Sequence, residues 1–397
     1  MSRPARRTLL AAATAAVAAL VLAACAPGEP SVEDGSRGSA PLSREPAPGA
    51  DPPAFDTAGL RLPLQLDGSD FVDPGWEVEP QYLDGIFLAP IETGGHLSFT
   101  AVNSEGTALW AAERPLACAG FTLAQRQDGV PLAVLNDSAP TDDAIAQTTA
   151  TAYDLRTGAR VWGPVDVPGP YQGPGLVYAS PPPEAMGATG PRVALDSATG
   201  EVVVDESDGA ARVVAERHGI VVTHDGASVR GTDATGAVAW ETELPVGADQ
   251  AQATPGTALA GTMLLLSTGA DRSAVIDLAT GEAVATDVTS AAFDEATGLL
   301  IATDGDRAWA TDAATGDATW EIEASPEARI ESAGGAQVYL RDGDSVWVHN
   351  SLTGAAMPGY KAELAGAITV PLAIASSGAA TLEHEGGVFL ATTPTIR

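Results

Sequence analysis

Ala152-Tyr153-Asp154-Leu155-Arg156-Thr157-Gly158-Ala159-Arg160-Val161-Trp162 returns in outline as Ala310-Thr311-Asp312-Ala313-Ala314-Thr315-Gly316-Asp317-Ala318-Thr319-Trp320. Each copy reads as the end of one strand, a tight turn and the start of the next. The Asp side chain accepts a bond from a backbone N–H two residues on and so nucleates the turn. The Gly supplies the positive φ that closes a three- to five-residue hairpin loop. The Trp falls near the start of the following strand, where a large side chain fills the gap between one sheet and its neighbour.

Working outward, the same turn recurs at Gly106, Gly158, Gly200, Gly236, Gly281, Gly316 and Gly354. Thr precedes six of these glycines, and Glu105 precedes the seventh. Asp154, Asp196, Asp277, Asp312 and Asn350 stand four residues before their glycines, while Asn103 and Asp233 stand one residue nearer. Trp110, Trp162, Trp240 and Trp320 follow by four, and Val204, Ala285 and Pro358 take that place in the other three copies. A further copy, Asp294-Glu295-Ala296-Thr297-Gly298, falls between Gly281 and Gly316 and reads as a second hairpin within one repeat.

Short apolar runs such as Ile220–Thr223 and Leu299–Thr303, flanked by Gly, Asp, Asn or Pro, complete an all-β pattern. From Gly106 to Gly354 the step averages about 41 residues, the length of one four-stranded β-propeller blade. The span 60–397 therefore accommodates eight blades better than seven. Only seven of these turns fall in phase with the repeat, and the C-terminal stretch supplies three strands without one: Ala367–Ile374, Ala379–His384 and Gly387–Thr392. Pairing these with an N-terminal strand, expected at Leu60–Leu66, closes the ring and removes exposed sheet edges.

The Ala-x-Asp-x-x-Thr-Gly-x-x-x-Trp pattern resembles the repeat of pyrroloquinoline-quinone (PQQ)-type propellers. That superfamily includes quinoprotein alcohol dehydrogenases and the lipoprotein of the outer-membrane β-barrel assembly machine. The resemblance implies that Trp110, Trp162, Trp240 and Trp320 dock each blade onto the next. It specifies fold and leaves function open. A quinoprotein enzyme of this type carries a vicinal disulfide and aromatic groups that sandwich the quinone. This chain has no Cys-Cys pair, and only 5% of its residues are aromatic.

The N-terminus addresses location. Arg3, Arg6 and Arg7 precede an apolar run from Leu9 to Ala24, too short for the roughly 20 residues of a spanning helix. Leu22-Ala23-Ala24-Cys25 follows the layout of a secretory signal with a small-residue cleavage site and resembles a bacterial lipobox. Residues 1–24 are thus expected to be a signal peptide and Cys25 a lipid attachment site. Both Sec and twin-arginine export remain open. Residues 25–59, rich in Pro and Gly, read as a disordered tether with a reach of roughly 100 Å. Residues 60–397 read as the propeller.

Twenty basic residues against 52 acidic give a net charge of −32, and Lys361 is the only lysine. Such a surface repels nucleic acid and anionic headgroups, so no nucleic-acid partner is expected. With Cys25 consumed, Cys118 has no partner in the chain and no neighbouring cation to lower its pKa, so a buried, inert thiol is expected. His218 and His224 share a strand face by parity but lie too far apart to hold one ion. Asp304-Gly305-Asp306 and Asp342-Gly343-Asp344 lack the acidic spacing of a calcium loop and read as turns. No cofactor, metal site or catalytic group is expected. The sequence points to a noncatalytic binding or scaffolding lipoprotein. It would sit on the outer face of the cell membrane and take an envelope protein or polymer as partner. The alternative is a quinone- or small-molecule-binding enzyme or sensor using the axial funnel.

Overall fold

The structure, a computed structural model, describes residues 42–116, 120–139, 147–180, 190–209, 211–244, 262–269, 271–361 and 366–395. Among them there is no α-helix, only two three-residue 3-10 turns at Leu64–Leu66 and Glu206–Asp208. Antiparallel sheets follow one another along the chain as the eight blades of a β-propeller. Blades 1 to 7 span residues 81–115, 121–167, 177–205, 212–243, 263–288, 290–323 and 329–357. Blade 8 combines residues 371–391 with the strand Phe71–Trp76.

Blades 3 and 5 show three described strands each. In blade 3 the inner position is marked by the bridge from Tyr171 to Tyr178. In blade 5 the preceding segment 245–261 lies outside the described residues.

Blade 8 closes the ring as the sequence predicts, with one correction. The outer strand is Phe71–Trp76, paired antiparallel to Gly387–Ala391, and not Leu60–Leu66. Pro63 has no N–H to donate to a ladder, and residues 64–66 turn as a 3-10 helix that buries Leu66. Leu60–Arg61 instead pairs in parallel with Ala367–Ile368, on the crossing from blade 7 to blade 8.

The core is a series of seams between blades. One seam packs Leu132, Val134, Ala152 and Trp162 of blade 2 against Leu176, Tyr178 and Leu195 of blade 3. Another packs Val222, Val229 and Trp240 of blade 4 against Leu264, Leu266 and Ile276 of blade 5. At the axis the innermost strands present edges, and side chains of the preceding blade cover them. Gln81 accepts from the Leu123 N–H at 2.7 Å and donates to the Phe121 carbonyl at 3.2 Å. Ser290 accepts from the Ile330 N–H at 2.8 Å, and Ser332 donates to the Pro371 carbonyl at 2.7 Å.

The expected tether over 25–59 divides. Residues 1–41, Cys25 among them, lie outside the described residues. Residues 42–59 are laid along the outer strands of the propeller. Ala47 and Ala111 exchange two backbone bonds at 2.9 and 2.8 Å, and the Glu113 N–H donates to the Ser43 carbonyl. Phe55 then bonds to Phe71 and stacks on Phe389 at 4.1 Å. This arm crosses from blade 1 to blade 8 and covers both outer edges.

Candidate functional site

In each blade with four strands, alternation of direction places the inner hairpin and the Thr-Gly-type turn on one face of the ring. The middle hairpins and the blade-to-blade connections lie on the other. The turns are capped by their own side chains. At Asp154 one carboxylate oxygen accepts from the Arg156 and Thr157 N–H groups and from the Thr157 hydroxyl. Asp312 and Asn350 each accept two such backbone bonds. Asp294-Gly298 is the inner hairpin of blade 6. Its fully buried Asp294 also accepts from the Ser351 hydroxyl at 2.6 Å and the Ala336 N–H at 3.0 Å, which stitches blade 6 to blade 7.

The four tryptophans lie on the outer strands of blades 1, 2, 4 and 6, and each reaches into the next blade. Their indole N–H groups donate to the carbonyls of Leu155, Ser197, Leu278 and Ser351 at 2.8, 2.9, 2.7 and 2.6 Å. Each ring also covers the next blade's turn glycine. A Cβ at Gly200 would meet the Trp162 ring at 2.7 Å, and one at Gly281 the Trp240 ring at 2.5 Å. These two glycines are therefore fixed twice, by φ of +76° and +76° and by the ring above them. Gly236 and Gly316 follow the blades that carry Val204 and Ala285, and a Cβ there would meet nothing within 4 Å. Gly106 faces Thr392 and Val72 of the closing blade.

Trp76, which carries no repeat signature, is 1% exposed and fills the seam between blades 8 and 1 beside Phe87, Val102 and Leu390. Its position four residues after Val72 gave no motif to recognise; only the outer strand's true register places it.

On the face of the Thr-Gly-type turns, Tyr82 of blade 1 donates to Glu295 of blade 6 at 3.3 Å, a contact made across the axis. Burial, then the Glu295 charge, push the Tyr82 hydroxyl up to about 12, and burial raises the Glu295 carboxyl. His218 occupies the inner turn of blade 4 at φ +54°, and His224 ends the following strand at the opposite face. Asp304 caps its own turn by accepting from the Asp306 and Arg307 N–H groups. Among the described residues no three His, Cys, Asp or Glu side chains gather to hold a metal ion. Cys118 lies outside the described residues.

Fold and repeat together define the class: an eight-bladed β-propeller. Residues 146–298, blades 2 to 6 in part, match the family model described as outer membrane protein assembly factor BamB. No curated protein sequence matches the chain. Among solved structures, BamB from Moraxella catarrhalis is 16% identical, with 81% of this chain and 97% of that chain covered and a TM-score of 0.42. Saccharomyces cerevisiae Sqt1 is 10% identical, with 82% and 98% covered and a TM-score of 0.43. The computationally designed Ika8 protein is 12% identical, with 84% and 99% covered and a TM-score of 0.39. The strand pairing of the ring itself establishes the fold.

Proposed function

We propose that this protein is a noncatalytic docking lipoprotein of the bacterial cell envelope, anchored through Cys25 to the outer face of the membrane. The carrying observation is a closed propeller whose repeat, over 146–298, matches a model described as an assembly factor. The lipobox-like Leu22–Cys25 supports the anchor. The arm over 42–59 supports it too, because it secures the ring at the point where the N-terminal segment joins. Sixteen residues separate Cys25 from Leu42, so their fully extended reach is about 50–60 Å. That is shorter than a tether running to residue 59.

The test is fractionation of cells carrying wild type or Cys25→Ser, followed by crosslinking and mass spectrometry. Wild type should sediment with membranes and carry an acylated N-terminal peptide, while Cys25→Ser loses both. Crosslinking should enrich envelope proteins. A wild-type chain recovered without lipid, or one that enriches no envelope protein, would overturn the reading.

A further inference from the structure

The face opposite the Thr-Gly-type turns carries a cavity of about 450 Å³ at the crossing from blade 7 to blade 8. Its floor is apolar, formed by Ile368, Pro371 and Leu372, and Ile368 is 48% exposed. The crossing is held in place by Leu60–Arg61, the segment that did not become the outer strand. Around the floor stand Glu79, Glu331, Glu383 and Glu385 with His384. The cation in this rim, Arg341, is bonded to Glu331 at 2.6 Å.

A groove with an apolar floor and a carboxylate rim discriminates among ligands. A bare metal ion needs several ligands converging on one point, and the described residues hold no such group. Burial of Ile368 needs an apolar surface from the ligand. A side chain with an aliphatic stem and a cationic head satisfies both requirements: the stem lies on the floor and the head meets the rim. Hydrogen bonds between such a head and a carboxylate are charge-assisted and short. The net charge of −32 draws the same partner from a distance.

We propose that this groove docks an extended, arginine- or lysine-bearing segment of a partner protein. The proposal rests on the docking reading above and names the chemistry of the partner.

The probe is a fluorescein-labelled peptide of alternating Arg and Val, titrated with the full chain and followed by fluorescence polarisation. Glu383→Gln/Glu385→Gln should weaken binding about tenfold, and Ile368→Ser severalfold. Glu105→Gln/Glu282→Gln removes equal charge at exposed turns on the other face and should leave affinity within twofold of wild type. Equal losses in both double variants would reduce the effect to net charge and overturn the proposal. Absence of peptide binding to wild type would do the same. Excess calcium, at ionic strength matched with sodium, should leave the peptide bound; selective displacement would assign the rim to a metal instead. The two readings fail separately. If the groove variants lose the peptide yet crosslink the same envelope proteins, the groove is not the docking place while the scaffold stands. If wild type crosslinks none but binds the peptide, the scaffold reading falls.

Discussion

At the scale of single residues, the fold depends on contacts that join one blade to the next. Trp162 is 8% exposed, bonds to the Ser197 carbonyl and lies on Gly200. Truncating a buried aromatic side chain of this size costs about 3–5 kcal/mol. Trp162→Ala should therefore lower the urea midpoint and speed amide exchange in the turn around Gly200. The turn at Gly236, with no ring above it, should be unaffected. Uniform loosening of both turns would show that the ring does not act locally. Glu216 is the second informative residue. It is fully buried and accepts from the Gly219 N–H at 3.0 Å and the Leu176 N–H at 3.1 Å. Burial outweighs these two bonds and raises its carboxyl from 4.5 to about 7. A carboxyl with a raised folded pKa contributes stability that is complete below about pH 4.5. That contribution falls away as pH rises through 7, by an amount on the order of 3 kcal/mol. Urea midpoints of wild type should drop between pH 5 and pH 8, and Glu216→Gln should flatten that slope. The substitution also lowers stability at pH 5, because the amide nitrogen that replaces one carboxyl oxygen donates and leaves either the Gly219 or the Leu176 N–H without its acceptor. Parallel slopes in the two proteins would exclude Glu216 as their cause.

At the scale of elements, the arm over 42–59 shows how a Pro- and Gly-rich segment becomes ordered without a core of its own. It borrows partners from strands that would otherwise expose a row of N–H and C=O groups: Ala111 and Glu113 in blade 1, Phe71 and Asp73 in blade 8. Composition predicts a tether because few large apolar residues are present. One of them, Phe55, is enough to anchor the segment by stacking on Phe389 at 4.1 Å. Covering an edge also removes a template for pairing with other chains. Deleting residues 42–56 should make the Ala111 and Glu113 amides exchange rapidly, with concentration-dependent association seen by light scattering. Unchanged protection at these two amides would mean that the arm is dispensable to blade 1. The closing strand teaches a related lesson. Leu60–Leu66 and Phe71–Trp76 both lie at the right distance in sequence to complete blade 8. The choice between them falls to Pro63, which cannot donate, and to the burial of Leu60 and Leu66 beneath the blade 7 to blade 8 seam.

At the scale of the whole molecule, the closed ring is a rigid support whose two faces differ in chemistry. One face gathers capped turns and the Tyr82–Glu295 contact across the axis; the other carries the groove floored by Ile368. By itself the sequence determined the all-β class and the blade length, and it favoured eight blades over seven without fixing the count. The strand-and-turn pattern behind these readings is local, set by side-chain capping, positive φ and strand alternation, and repetition made it legible. The tertiary structure alone decided which segment closes the ring, where residues 42–59 lie, why Trp76 is buried and which carboxylates surround one cavity. Those outcomes join residues more than 300 positions apart, such as Phe71 and Ala391. Long-range partners are selected by competition for shared edges and seams, and no local pattern records that competition.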